Sequence, residues 1–420
     1  MVSIAFNLQK SNRINFEKIY YYLILFLAFA SPLSKALNSF NIILLSLVWL
    51  IEGDFRRKFK MIKSSNLLLC LMAFLILITI SLTYSNLELS LGYFKKYCYL
   101  LLIIVIATSV KKEWIGSIIT AFLCGMLITE IYALSPLVFD FESSIKTSKI
   151  DAQFFNPTML SIQYSIFLAF CAIIIIEKIF NIKKLNYKTI LMFMFLCTTL
   201  LNLFLSYSRT GQLIFFVLLI FWTIYRFKIN YKAIIALAIA LILIFVLAFN
   251  YVDNFKKVVK KTENEIALLK KGNFNSSNGI RIALNILSIE VIKDNPFFGV
   301  GLGDYEEEYK KLLKKDEFAY MSNIRGFIEK NSPHNQYTFI AMQVGLIGLM
   351  VFLLIIYECF RALRRIENEE QRTVFLFFIL TFLIAFLTDN QLTGQTTRTL
   401  FIIFIGVFSV VSINHKDEKH

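Results

Sequence analysis

Three residues of this 420-residue chain have types and settings suited to chemistry on an anionic substrate. His334 lies in Ser332-Pro333-His334-Asn335, at the mouth of an apolar run. An imidazole titrates near pH 6.5, so at neutral pH it can take a proton from a hydroxyl. Arg209 lies in Ser206-Tyr207-Ser208-Arg209-Thr210-Gly211, between two apolar runs with almost no loop. An arginine near membrane depth is expensive and faces a cavity or an anionic partner. Its planar fork grips phosphate through two parallel hydrogen bonds. Arg281 lies in Asn278-Gly279-Ile280-Arg281, at the start of an amphipathic stretch that leads to Asn295-Pro296-Phe297-Phe298-Gly299-Val300-Gly301-Leu302-Gly303. The alternating glycines are not a dinucleotide fingerprint, because no buried strand precedes them. They read as a tight turn where backbone approaches a helix or a ligand. Spacing alone leaves open whether Arg281 has a role.

Two further positions are candidates. Asp389, in Thr388-Asp389-Asn390-Gln391, either orients the arginines or faces water. Arg398, at the start of the last apolar run, is a candidate for lipid phosphate. His415 and His420 read as a solvated tail, and Asp304 with Glu306, Glu307 and Glu308 as a solvated acidic helix start. No DxD, no HExxH and no carboxylate pair at ligand spacing occurs in the loops on the His334 side, so no metal and no cofactor is expected. The six cysteines form no CxxC pair and read as small apolar packing residues.

The elements that position these residues are membrane helices. Hydrophobic residues make up 57% of the chain and charged residues 17%, too few charges to cover a globular surface and far too apolar for disorder. About twelve apolar runs approach the length of a bilayer-crossing helix. They lie at 19–35, 37–51, 66–83, 94–110, 115–137, 158–177, 189–207, 211–226, 232–251, 335–358, 373–389 and 397–414. They are apolar on all faces, unlike the alternating strands of a barrel. The first two are short and separated only by Ser31-Pro32 and Ser34-Lys35.

A net charge of +15 fits basic cytoplasmic loops better than nucleic acid, since the charges sit in short clusters between apolar runs. Clusters such as Arg56-Arg57-Lys58, Lys183-Lys184 and Arg364-Arg365 fall on one side and well outnumber the basic residues of the short loops on the other. Both termini are therefore expected in the cytoplasm. The chain divides into nine helices over 1–251, one large hydrophilic loop over 252–333, and three helices with a short tail over 334–420. That loop faces the periplasm in this topology. It carries a charged helical pattern near 253–271, a polar turn at 272–279 and an amphipathic stretch near 280–293. An ordered loop of this length is usually functional.

His334-Asn335, nine residues, and then Gly345-Leu346-Ile347-Gly348 match the H-[NSQ]-x9-G-x2-[GTY] pattern of O-antigen ligases. The Ser208-Arg209-Thr210-Gly211 element, and Arg281 followed by Asn295-Pro296-Phe297-Phe298-Gly299-Val300-Gly301, also resemble that superfamily, as does Asn156-Pro157. O-antigen polymerases and protein O-oligosaccharyltransferases are similar in the same elements. The resemblance implies an all-α, GT-C-like glycosyltransferase of the bacterial inner membrane, with its active site in the periplasm. It implies transfer of a glycan from undecaprenyl pyrophosphate to a sugar of lipid A–core, with inversion and without metal. Residue by residue, it puts Arg209 and Arg281 at the donor pyrophosphate and His334 at the essential histidine, with Asn335, Arg398 and Asp389 as further candidates. A transporter or flippase is the alternative from another class. Against it stand the lack of an internal repeat and the expectation that acidic residues sit only at helix ends or in loops.

Overall fold

Away from water a chain segment must satisfy its own backbone, and a helix does so without help from neighbours. In the computed structural model, which describes residues 15–138 and 159–413 apart from 183, 185, 207 and 229, each of the twelve apolar runs carries a helix. In chain order the helices are α1 (Phe16–Ala30), α2 (Lys35–Glu52), α3 (Phe55–Lys63), α4 (Asn66–Ser81), α5 (Leu87–Cys98), α6 (Leu101–Ala107), α7 (Ile115–Val138), α8 (Ser161–Asn181) and α9 (Tyr187–Leu205). There follow α10 (Arg209–Phe227), α11 (Tyr231–Tyr251), α12 (Asp253–Lys270), α13 (Ser277–Asp294), α14 (Tyr305–Leu312), α15 (Arg325–Ile328), α16 (Gln336–Leu363), α17 (Glu369–Thr388) and α18 (Gln395–Ser409). Starts are set by side-chain caps: Ser34, Ser65, Asn186, Asn230 and Asn368 each accept a first-turn amide. Asn156-Pro157, His415 and His420 lie outside the described residues.

Ten helices among the described residues are long and apolar enough to cross a membrane, or eleven if the sharply bent pair α3–α4 counts as one span. The expectation of about twelve exceeds this because α1 has 15 residues and α4 has 16. At about 1.5 Å per residue neither alone covers a hydrocarbon core of about 30 Å.

α8 runs through the centre, with α9, α10 and α17 packed around it, and α18 is buried almost throughout. Their contact is largely aromatic. Phe378 stacks on Phe404 at 4.9 Å and Phe375 on Phe408 at 4.2 Å, while Phe122 and Phe170 close edge-on against Phe404. α11 presents nearly all its length outward.

The expectation that acidic residues avoid helix interiors is overturned. Glu130, well inside α7, is fully buried; the hydroxyls of Thr198 and Thr199 donate to it at 2.9 Å. Glu177, near the end of α8, is also fully buried and is held by Arg226, Trp222 and Asn181. Each carboxylate is tolerated at this depth because donors on neighbouring helices satisfy it.

Residues 252–333 form a helical cap over one end of the bundle; its second helix starts at Ser277, inside the stretch read as a polar turn. The cap has its own apolar core, in which Leu284, Leu287, Tyr305, Tyr309, Met321 and Ile328 pack onto Phe339 and Met342 of α16. His334 lies where the cap meets the bundle.

Candidate functional site

α16 starts where Asn335 caps it: the Asn335 Oδ1 accepts the amides of Tyr337 at 2.9 Å and Thr338 at 3.3 Å. This spends the carboxamide oxygen of Asn335 on the helix start and holds His334, the preceding residue, at the mouth. The His334 Nδ1 lies 3.0 Å from the Asp389 Oδ1, across the turn between α17 and α18. The same carboxylate oxygen accepts the Asn390 amide at 2.8 Å, and the Asn390 side chain donates to Ser332. Burial works against the charged form of Asp389. The hydrogen bond and charge of His334, the Asn390 amide and the nearby charge of Arg281 outweigh it and hold the carboxyl below the usual aspartate range. An ionised carboxylate can only accept, so the proton of a neutral ring stays on Nδ1 and leaves the Nε2 lone pair free. That is the tautomer a base needs.

The charge of Arg281, in the second turn of α13, thus acts on the His334–Asp389 pair. Thr338 of α16 ties that helix down by donating to Asn285 at 3.2 Å. Arg209 is the first residue of α10. Its two terminal nitrogens donate to both carboxylate oxygens of Glu265 on α12, at 2.8 and 2.9 Å, and Nη1 also donates to Thr262 at 3.1 Å. The backbone amide of Asn278, at the start of α13, also favours the charged form of Glu265. Arg209 is thus clasped by the cap through Glu265, and the charge of Arg281 acts on the Asp389 carboxylate that holds His334. Sequence reasoning missed Glu265. Its neighbours in a lysine-rich helix give no sign that its partner lies 56 residues away.

Arg398 turns inward. It is 5% exposed, donates to the carbonyls of Leu392 and Thr393 and lies over the Tyr99 ring at 4.6 Å. Asp304 is also more than a solvated helix start, since its carboxylate accepts the Asn86 amide and pins the cap to the α4–α5 turn.

The glycine turn is the device that registers cap against bundle. α16 is broken at Val344 and Gly345, where Gly345 has φ 71°. The amides of Leu346 and Ile347 leave the helix ladder and donate to the carbonyls of Pro296 and Phe297, at 2.7 and 3.5 Å. The carbonyls of Met342 and Gln343, freed by the break, accept the amides of Val300 and Gly301 at 2.9 and 3.0 Å. Two helical bonds are exchanged for four that join loop and helix. A Cβ on Gly345 would collide with the Phe297 carbonyl, and one on Gly348 would collide with the Val344 side chain. Both glycines of the H-N-x9-G-x2-G pattern are thus required by close approach, at the break that receives the second motif.

Residues 193–353 match the family described as O-antigen ligase. An uncharacterized protein of Haemophilus influenzae is 31% identical over 187 residues, which are 44% of this chain and 45% of that relative. The matched region takes in Arg209, Glu265, Arg281, His334 and the break in α16, and over residues 193–353 the chain is similar to the O-antigen ligase family.

Proposed function

We propose that this chain is a GT-C-like glycosyltransferase of the O-antigen ligase type, with the His334 end of the bundle in the periplasm. It moves a glycan from undecaprenyl pyrophosphate to a sugar hydroxyl of lipid A–core. The observation that carries this reading is the His334–Asp389 pair with Arg281 beside it. It sets a base with a free Nε2 in the field of a cation that forms no ion pair among the described residues.

In this mechanism Arg209 and Arg281 draw the donor diphosphate in and neutralise the charge that grows on it as the anomeric carbon–oxygen bond breaks. The acceptor hydroxyl attacks from the opposite face and inverts that carbon. Its proton passes to the Nε2 of His334, and Asp389 stabilises the imidazolium that forms. Arg209→Lys tests the donor grip. A point charge cannot reproduce a two-pronged contact, so donor affinity is expected to fall about tenfold, as read by the KM for carrier-linked glycan.

The decisive experiment is the lipopolysaccharide banding of a deletion strain beside its pool of carrier-linked glycan. Loss of all O-antigen with long polymer accumulating on the carrier supports ligation. A single repeat still attached to lipid A–core turns the reading to polymerisation, and an unchanged pattern turns it to protein glycosylation or transport.

A further inference from the structure

The partner of Arg209 has the shape of its expected substrate. Glu265 is 3% exposed and holds both terminal nitrogens of the guanidinium, beside the Thr262 hydroxyl. Two planar oxygens set against an arginine fork make the same hydrogen bonds as two oxygens of a phosphate. An open cleft of about 490 Å³ adjoins this carboxylate. Lys257, Lys260 and Lys261 line it from one face of α12, and Asn275, Ser276 and Ser277 line it from the start of α13. All three lysines are exposed, and none forms an ion pair among the described residues. The cleft thus offers positive charge to an entering anion, and the seat next to it is filled by the protein's own carboxylate.

We propose that Glu265 is a resident counter-anion that a diphosphate displaces. Donor binding is then an exchange: the diphosphate enters over Lys257, Lys260 and Lys261 and takes the Arg209 fork, while Glu265 swings into the cleft. After transfer the carboxylate returns and helps to expel the spent carrier diphosphate. Without Glu265 the guanidinium would hold that product as tightly as it holds the donor. The inference rests on the reading that Arg209 meets the donor diphosphate.

The test is binding to the full chain in lipid nanodiscs, with inorganic pyrophosphate as one probe and undecaprenyl pyrophosphate as the other. Glu265→Gln keeps the side chain's shape and removes its charge. Both probes are expected to bind it about tenfold tighter than wild type or more, the scale of one charge-assisted hydrogen bond. Glu265→Asp keeps the charge on a shorter arm, and a smaller gain in the same direction is expected. In the Arg209→Ala background the Gln substitution should give no gain. In turnover, Glu265→Gln should lower KM and kcat together, because product leaves slowly. A gain for the lipid probe alone places the exchange at the membrane-bound donor; a gain for both places it at the diphosphate itself. Equal or weaker binding by both Glu265 variants, or a gain that survives loss of Arg209, overturns the proposal. The binding arms do not depend on which glycan is transferred. A tightened Glu265→Gln in a chain whose deletion leaves lipopolysaccharide intact would keep the exchange and sink the ligase reading. Unchanged binding with lost ligation would do the reverse.

Discussion

An arginine clasped by carboxylates stands at each end of the bundle, and the two sites differ in what surrounds them. At the end remote from His334, Arg226 is 8% exposed and held by Glu177 and Glu369, with the Trp222 indole donating to Glu177 and Lys178 pairing with Glu370. Every charged partner belongs to a bundle helix, so the cluster ties α8, α10 and α17 together. At the His334 end, Arg209 is paired as tightly, but its partner comes from the cap and borders an open cleft. Nearby, His334 and Asp389 are partly exposed, with one ring nitrogen turned from the carboxylate. Several buried polar atoms at this end, on Gln163, Gln336, Asn390 and Gln391, have no partner among the described residues. The same pair chemistry is closed off at one end of the bundle and left open on one side at the other, where the proposed site lies.

Substitutions can break this contrast. His334→Ala removes the proposed base, and transfer should fall by about 10²–10⁴-fold while the protein persists in the membrane. An in vitro transfer assay beside an immunoblot checks this, and retained activity removes His334 from the role. Asp389→Asn should cost about 10²-fold or more in kcat by letting the ring take the wrong tautomer. If its rate and pH profile match wild type, Asp389 does not orient the base. Glu177→Ala should do the opposite kind of damage. It leaves the buried Arg226 short of a partner and should cost about 3–5 kcal/mol of stability, seen as lower abundance and melting temperature with the residual kcat preserved. A stable Glu177→Ala protein that had lost only activity would erase the distinction between the two ends.

The smallest effect is in pH. Burial works against the charge of Glu265, but the hydrogen bonds and charge of Arg209, with Lys261 and the Asn278 amide, hold its carboxyl below the usual range. A depressed folded value means the contribution is full above the unfolded value of about 4.3 and is lost as pH falls through the folded one. The melting difference between wild type and Glu265→Gln should therefore be steady at neutral pH and close as the medium is acidified below about pH 4. A difference that persists under acid would assign the effect to packing.

Much of this architecture is legible in the order of the residues, and what is not legible has a common cause. Apolar length announces the helices, and turn chemistry announces the cap's elements, because both are local. The His334 and glycine-turn motifs are visible as patterns, but their interlock is not: nothing in residues 295–303 says that their amides complete a helix more than forty residues on. Glu130 and Glu177 are hidden for the same reason. Within an apolar run a carboxylate looks forbidden until the helix that brings Thr199 or Arg226 is in place. Arg398 reads as lipid-facing because the aromatic face it meets, Tyr99, lies on a turn of the chain about three hundred residues earlier.

The spliced break in α16 also bears on how the protein is made. A span with two backbone bonds missing is a poor candidate for insertion, because its orphaned carbonyls would meet hydrocarbon. Here the residues that fill the gap, 296–301, precede the broken helix in the chain and leave the ribosome first. The template is already waiting when the helix arrives, so synthesis in the written order lets the break close as it forms. A circular permutant that placed 295–303 after α16 would keep every contact of the finished fold and lose that head start.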